Sequence, residues 1–153
     1  HTNGYSLARR VLGVEDNPDC LNNLYPELGK TLGEELLQIH RCYYPQLKPV
    51  LPLIKGIAHI TGGGFTGNIP RILPEGLNVY LHKDSWDILP IFKLIQEKGN
   101  IEEAEMYRVF NMGIGIVVVC SPQELSKLTA ALPGARIIGE ASKAKGKARV
   151  IIV

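Results

Sequence analysis

The stretch HITGGGFTGNIPRILP, His59 to Pro74, decides how the rest of the chain is read. It follows the apolar, β-favouring segment Lys55–Ile60 and runs into Asn68, Pro70 and Arg71. Packing alone gives no reason for three consecutive residues without side chains. A strand that delivers Thr-Gly-Gly-Gly can, however, turn successive backbone N–H groups toward one point, and such nests hold anions. Glycine supplies both the unusual φ/ψ values and the close approach of backbone to ligand. No Lys-Ser/Thr follows, so this is not a P-loop, and the spacing is not the dinucleotide G-x-G-x-x-G pattern. The residues leave two readings open, an anion-holding loop and a plain strand-to-helix joint.

Working outward, the chain alternates helical and strand-like segments. Leu7, Val11 and Leu12 are spaced for one apolar helix face, with Gly13 placed to end it. Thr31 and Glu34 stand in capping-box spacing at the start of TLGEELLQIH. YPQLKPVLPLI reads as helix interrupted by Pro45, Pro49 and Pro52. NIPRILP suggests one helical turn before a strand at Leu77–Leu81. Ser85 is placed to cap a helix from Trp86 to Lys98, stopped by Gly99. NIEEAEMYRVF is a second helix, acidic in its first turn as the helix dipole favours. IGIVVVC is the clearest strand, and SPQELSKLTAAL follows as a helix with Ser121 at the N-cap and Pro122 at its first position. RIIGEA and ARVIIV are expected to pair as a terminal hairpin, with the Lys143–Lys147 run as its solvated tip. The expected fold is a single α/β domain: helices packed on one mixed sheet, with strands around Ile57, Val79, Val117, Ile137 and Ile151.

Composition narrows the function classes. At 153 residues and 45% hydrophobic, the chain can bury one sizeable core. A net charge of +2 with 21% charged residues provides no basic field for nucleic acid. No apolar run approaches the ~20 residues that span a bilayer, so no membrane association is expected. Cys20, Cys42 and Cys120 are odd in number and lack metal-ligand spacing, which suits free thiols in a reducing, cytoplasmic setting. The chain opens at His1 and commits to a helix within a few residues, as a piece of a longer protein would. His40 and His82 show no partner spacing, and His1 and His59 read by themselves as either structural or catalytic. Arg108, Asn111, Gly113 and Gly115 suit a tight helix-to-strand connection. Spacing supports no Ser-His-Asp set, carboxylate pair or metal cluster.

Three blocks, HTNGYSLARRVL, GIAHITGGGFTGNIPRILP and EMYRVFNMGIGIVVV, taken in this order, closely resemble the signature blocks of the AIR synthase (phosphoribosylformylglycinamidine cyclo-ligase) family. The resemblance covers nearly the whole chain and includes Lys48-Pro49-Val50-Leu51, Trp86 and Ile138-Gly139-Glu140. Any one block alone is less specific, because FGAM synthases, selenide water dikinases and thiamine-phosphate kinases share the fold and fragments of the motifs. The resemblance implies a C-terminal α/β domain that closes a cleft over a ribonucleotide substrate. In that family an N-terminal ATP-binding domain holds most of the ATP and Mg2+ site and the sheet of a homodimer. The implied reaction is ATP-dependent closure of the imidazole ring in purine biosynthesis. Carried over onto this chain, it gives His1 a catalytic role with Asn3 and Gly4 beside it. Thr61, Gly62, Gly63 and Gly64, followed by Asn68 and Arg71, would contact substrate, while Arg108, Phe110, Asn111, Gly113 and Gly115 would be mostly architectural. The family's Pro-Thr-Arg/Lys-Ile-Tyr is replaced by Ile39-His40-Arg41-Cys42-Tyr43, Val109 stands where Thr is usual, and Gly67 stands where Glu is common. These departures keep an alternative alive, a divergent homologue that binds a ligand or partner without catalysis.

Overall fold

The elements of the computed structural model, which describes His1 and residues 3–153, follow the alternation of helical and strand-like segments in the sequence, with a side-chain cap supplied by Thr31. Along the chain they are α1 (Tyr5–Val11), β1 (Leu24–Tyr25), β2 (Lys30–Thr31), α2 (Leu32–Leu36), α3 (Tyr44–Leu47), β3 (Ile54–His59), α4 (Gly64–Asn68), β4 (Leu77–Leu81), α5 (Pro90–Gly99), α6 (Glu103–Val109), β5 (Ile116–Cys120), α7 (Leu125–Ala131), β6 (Gly139–Lys143) and β7 (Val150–Ile152). Thr31 Oγ1 accepts from the Glu34 N–H at 3.2 Å, and the Glu34 carboxylate accepts from the Thr31 N–H at 2.8 Å, completing the capping box at α2. After α3 the backbone tightens into a 3-10 turn over Lys48–Leu53. Pro49 and Pro52 withhold the N–H groups that a continuing α-helix would need there.

The α/β class holds, with one correction. Strand pairing is divided among three sheets and does not form one continuous sheet: β1–β2, β3–β5, and a mixed three-stranded sheet in the order β6-β4-β7. β3 and β5 run antiparallel, pairing Ile57 with Val118 and Ala58 with Val117. Period-two alternation sends their side chains to two cores. Ala58 and Val117 join the main core with Phe65, Leu81, Leu94 and Met106. Ile57, Ile116 and Val118 pack on Leu47, Val50 and Leu128, which come from the α3 segment and α7. Helices therefore cover both faces of this pair.

The expected terminal hairpin does not form. β4 lies between the two segments, antiparallel to β6 and parallel to β7. The reason is visible in β4, where Asn78, Val79 and Leu81 are all buried, so side chains of both faces are covered and both edges need a partner. Lys143–Lys147 consequently forms part of a connection across the start of β4, where the Ala144 N–H donates to Gly76 O at 2.8 Å. Arg149 secures the same edge, donating to the carbonyls of Leu73, Pro74 and Leu77 at 2.8–3.0 Å. Ile137 stands outside the strand and is 58% exposed.

A second correction concerns the helix expected from Trp86. It begins at Pro90, after an extended Leu89. Proline presets the first helical turn and drives the residue before it out of the α region. Ser85 instead closes a 3-10 turn, and Trp86 is buried in extended conformation with its Nε1–H donated to Met112 O at 3.0 Å. Asn100, in the left-handed region at φ 45°, ends α5 in place of the expected Gly99. Cys20, Cys42 and Cys120 are free thiols, and no described helix is long and apolar enough to cross a membrane.

Thr31→Ala is expected to lower stability by about 1 kcal/mol, read as a shift in the urea midpoint at unchanged slope. Hydrogen bonds from Thr31 hold the Glu34 carboxyl below the ordinary carboxylate value. The stabilisation from Glu34 is therefore present above that ordinary value and is lost as pH falls through the lowered one. The gap between parent and Thr31→Ala should narrow in acid; a gap that widens there would contradict the capping geometry.

Candidate functional site

The glycine run links β3 to α4, and its three residues have different physical reasons to lack a side chain. Gly63 caps α4 at φ 94°, and Gly64 follows at φ 57°. A Cβ on Gly64 would overlap the Tyr107 carbonyl oxygen and stand 3.4 Å from that of Phe110. Gly62 has neither a positive φ nor a crowded neighbour, and an added Cβ there would meet only Asn3 Nδ2, at 3.6 Å. The loop is held by Asn68, which is 4% exposed. Its amide nitrogen donates to the carbonyls of Gly64 at 2.7 Å, Thr61 at 3.2 Å and Gly62 at 3.3 Å. Thr61 Oγ1 donates back to Asn68 Oδ1 at 3.2 Å. The amide of Asn68 is thus spent on the shape of the loop. The expected row of free donors is also shortened, because the Gly64 N–H is taken by Thr61 O at 3.0 Å.

Beside the loop lies an open hollow of about 300 Å³, lined by Ile57, Ala58, His59, Thr61, Asn68, Arg71 and Ile72. Arg71, exposed on the turn after α4, supplies its cationic side chain. The predicted residues Thr61, Asn68 and Arg71 therefore share one concavity, while Asn3 stands next to Gly62 in the adjoining loop.

His59, at the end of β3, also belongs to a second group. His1 and His40 stack with ring centroids 4.2 Å apart and planes inclined by 19°, and His59 meets His1 edge-on at 5.0 Å. One ring nitrogen from each of the three lies within 4.8 Å of the others. Tyr43 completes the group, its hydroxyl 2.9 Å from His1 Nε2, while His1 Nδ1 is buried without a hydrogen-bond partner among the described residues. Burial pushes the Tyr43 phenol above its ordinary value, and the nearby Arg41 partly offsets this. The hydroxyl therefore stays protonated well past neutral pH. Gly115 makes room for the group, since a Cβ there would overlap Tyr43 Oη and the His1 ring. Sequence reading missed His40 and Tyr43, because the three histidines stand far apart in the chain and no local spacing connects them. Only the Ile39-His40 departure marked the place.

The remaining motif residues build the frame. Gly4, at φ 82°, starts α1 directly beneath the Phe110 ring, where a Cβ would not fit. Asn111 Oδ1 accepts from the Gly113 N–H at 3.0 Å, around a left-handed Met112. Arg108 is paired with Glu105 on its own helix and lines a separate hollow with Thr66, Lys83 and Tyr107.

The family model for "AIR synthase related protein, C-terminal domain" matches residues 1–152. A phosphoribosylformylglycinamidine cyclo-ligase of Caldicellulosiruptor bescii is 52% identical over 130 residues, covering 82% of this chain and 37% of that protein. The protein of that name from Geobacillus thermodenitrificans is 49% identical over 152 residues, 95% of this chain and 44% of its own. For Desulfitobacterium hafniense the figures are 47% over 151 residues, 93% and 42%. The chain thus spans about two fifths of the length of these curated relatives.

The three glycines should separate on substitution by alanine, measured by thermal and urea melting. Gly64→Ala combines a backbone collision with positive φ and is expected to cost about 3 kcal/mol or more. Gly63→Ala pays for φ alone, about 1 kcal/mol, and Gly62→Ala should stay within about 0.5 kcal/mol of the parent. Equal losses at positions 62 and 64 would overturn this account of the loop.

Proposed function

Since this chain belongs to the AIR synthase related C-terminal domain family, we propose that it serves as the C-terminal domain of an ATP-dependent phosphoribosylformylglycinamidine cyclo-ligase. The substrate is formylglycinamidine ribonucleotide and the product aminoimidazole ribonucleotide, formed in purine biosynthesis. The observation that carries the reading is the convergence of Thr61, Asn68, Arg71 and His59 on one open hollow.

In this reading Arg71 and the loop around Gly62 receive the anionic end of the substrate. A guanidinium pairs well with phosphate oxygens, and the absent side chain at Gly62 lets backbone approach the ligand. His1, held on Tyr43, stands beside the formyl group. Phosphorylation turns the formyl oxygen into a good leaving group, which the ring-closing nitrogen then displaces. A hydrogen-bonding imidazole at that oxygen stabilises the charge that develops there.

The donor set at this site, imidazoles, an amide, hydroxyls and a guanidinium, does not suit Mg2+, which prefers oxygen ligands and carboxylates. Mg2+ and ATP are therefore assigned to an N-terminal ATP-binding domain. The full-length enzyme is proposed to be a cytoplasmic homodimer, a setting in which three free thiols are at home.

The test uses the protein joined to its ATP-binding domain, with ring closure followed by product absorbance. Arg71→Ala is expected to raise KM about tenfold or more with a smaller change in kcat. His1→Gln should lower kcat by about a hundredfold at unchanged thermal stability. Residues 1–153 alone should not turn over, because phosphoryl transfer depends on positioning from both sides of the cleft. Parental kcat in His1→Gln would remove the catalytic assignment, and parental KM in Arg71→Ala would remove the hollow as the substrate site.

A further inference from the structure

The three-histidine group shares His1 and His59 with the proposed reaction site but has a donor chemistry of its own, and a metal-bound His1 held on Tyr43 would have no nitrogen left for the formyl oxygen. We infer that His1, His40 and His59 form a binding site for a divalent transition metal ion of the zinc type. Imidazole nitrogen is a preferred donor for Zn2+, and three histidines with an open fourth position make a known coordination pattern.

Four features carry the inference. The three ring nitrogens already lie within 4.8 Å of one another. Zn–N bonds of about 2.0–2.1 Å in a tetrahedron require nitrogens roughly 3.4 Å apart, so the nitrogens must draw together and the stacked His40 ring must turn until its plane, like that of His1, points at the ion. His40 and His59 are exposed and free to make that turn, while His1 is more confined. The His1 ring has an outer partner in Tyr43, 2.9 Å from Nε2, and a buried Nδ1 with no partner among the described residues. A ligand histidine whose other nitrogen is hydrogen-bonded has its orientation set before the metal arrives. Finally, Gly115 leaves the space in which the His1 ring and Tyr43 Oη sit.

The donors come from three separate places: the start of the chain, the exposed segment between α2 and α3, and the end of β3. A bound ion would tie that segment, including the 97% exposed Ile39, to the edge of the β3–β5 pair.

The experiment is calorimetric titration with Zn2+ of untagged protein joined to its ATP-binding domain, in which His1 is internal and carries no α-amino group to act as a ligand. One equivalent is expected to bind saturably and to raise the melting temperature, as a ligand selective for the folded state must. His40→Ala and His59→Ala should each weaken binding by more than about tenfold with unchanged circular dichroism, whereas His82→Ala and Cys42→Ser should bind as the parent does. Co2+ in place of Zn2+ should give visible absorption without a thiolate charge-transfer band. Absence of saturable binding, parental affinity in both His40→Ala and His59→Ala, or loss of binding in Cys42→Ser would each overturn the inference. None of these readouts depends on ring-closing activity, so failure here leaves the proposed reaction standing, and the reverse holds as well.

Discussion

The close approach of Gly64 to the carbonyl oxygens of Tyr107 and Phe110 is the contact on which the candidate site depends. It brings the start of α4 against the end of α6 with no side chain between them. Two further glycines do the same for the neighbouring segments. Gly4 lies beneath the Phe110 ring, and Gly115 lies against His1 and Tyr43. Each of these glycines belongs to a different sequence block, and each is explained by atoms that another segment supplies. The three blocks interlock, which is why they are specific as a set and weak singly. A side chain at any of the three positions would push apart the segments that form the site.

That interlocking separates residues with a structural reason from those without one. Gly63 and Gly64 answer to backbone geometry, and Asn68 answers to the three carbonyls it binds. Gly62 and Arg71 answer to neither. Gly62 has ordinary φ and open space, and Arg71 is exposed at the rim of the hollow. A residue that the fold does not need and that lines a concavity, as Arg71 does, is where ligand contact is best sought. The loop thus combines the two readings that the sequence left open. Its second half is a joint, and Thr61 at its start lines the hollow.

Local signals were legible in the sequence and long-range choices were not. The capping box at Thr31 and Glu34, the strand at Leu77–Leu81 and the acidic first turn of α6 depend on residues within a few positions, and all are found as read. The terminal strands are found, but the first begins at Gly139, after the expected Ile137, and their partner is β4 and not each other. β6 and β7 are both edge strands, and only the coverage of β4 on both faces dictates that it lies between them. The start of α5 was misplaced because Ser85 offers a valid cap locally, while Pro90 and the bond from Trp86 to Met112 O decide the matter from further away.

The histidine group shows the same limit in its sharpest form. His1, His40 and His59 carry no periodicity relative to one another, and each taken alone has an ordinary structural explanation. Only folding brings their rings together, through α1 packed under Phe110, the segment before Tyr43, and the β3–β5 register that sets His59 opposite Ile116. His59 faces both ways, lining the hollow with Thr61 and Arg71 and meeting His1 and His40 on its other side. Any ligand that reorients this ring acts on both places at once. An ion held by the three imidazoles would draw the His59 ring toward His1, so metal occupancy and the shape of the hollow are mechanically joined through a single side chain.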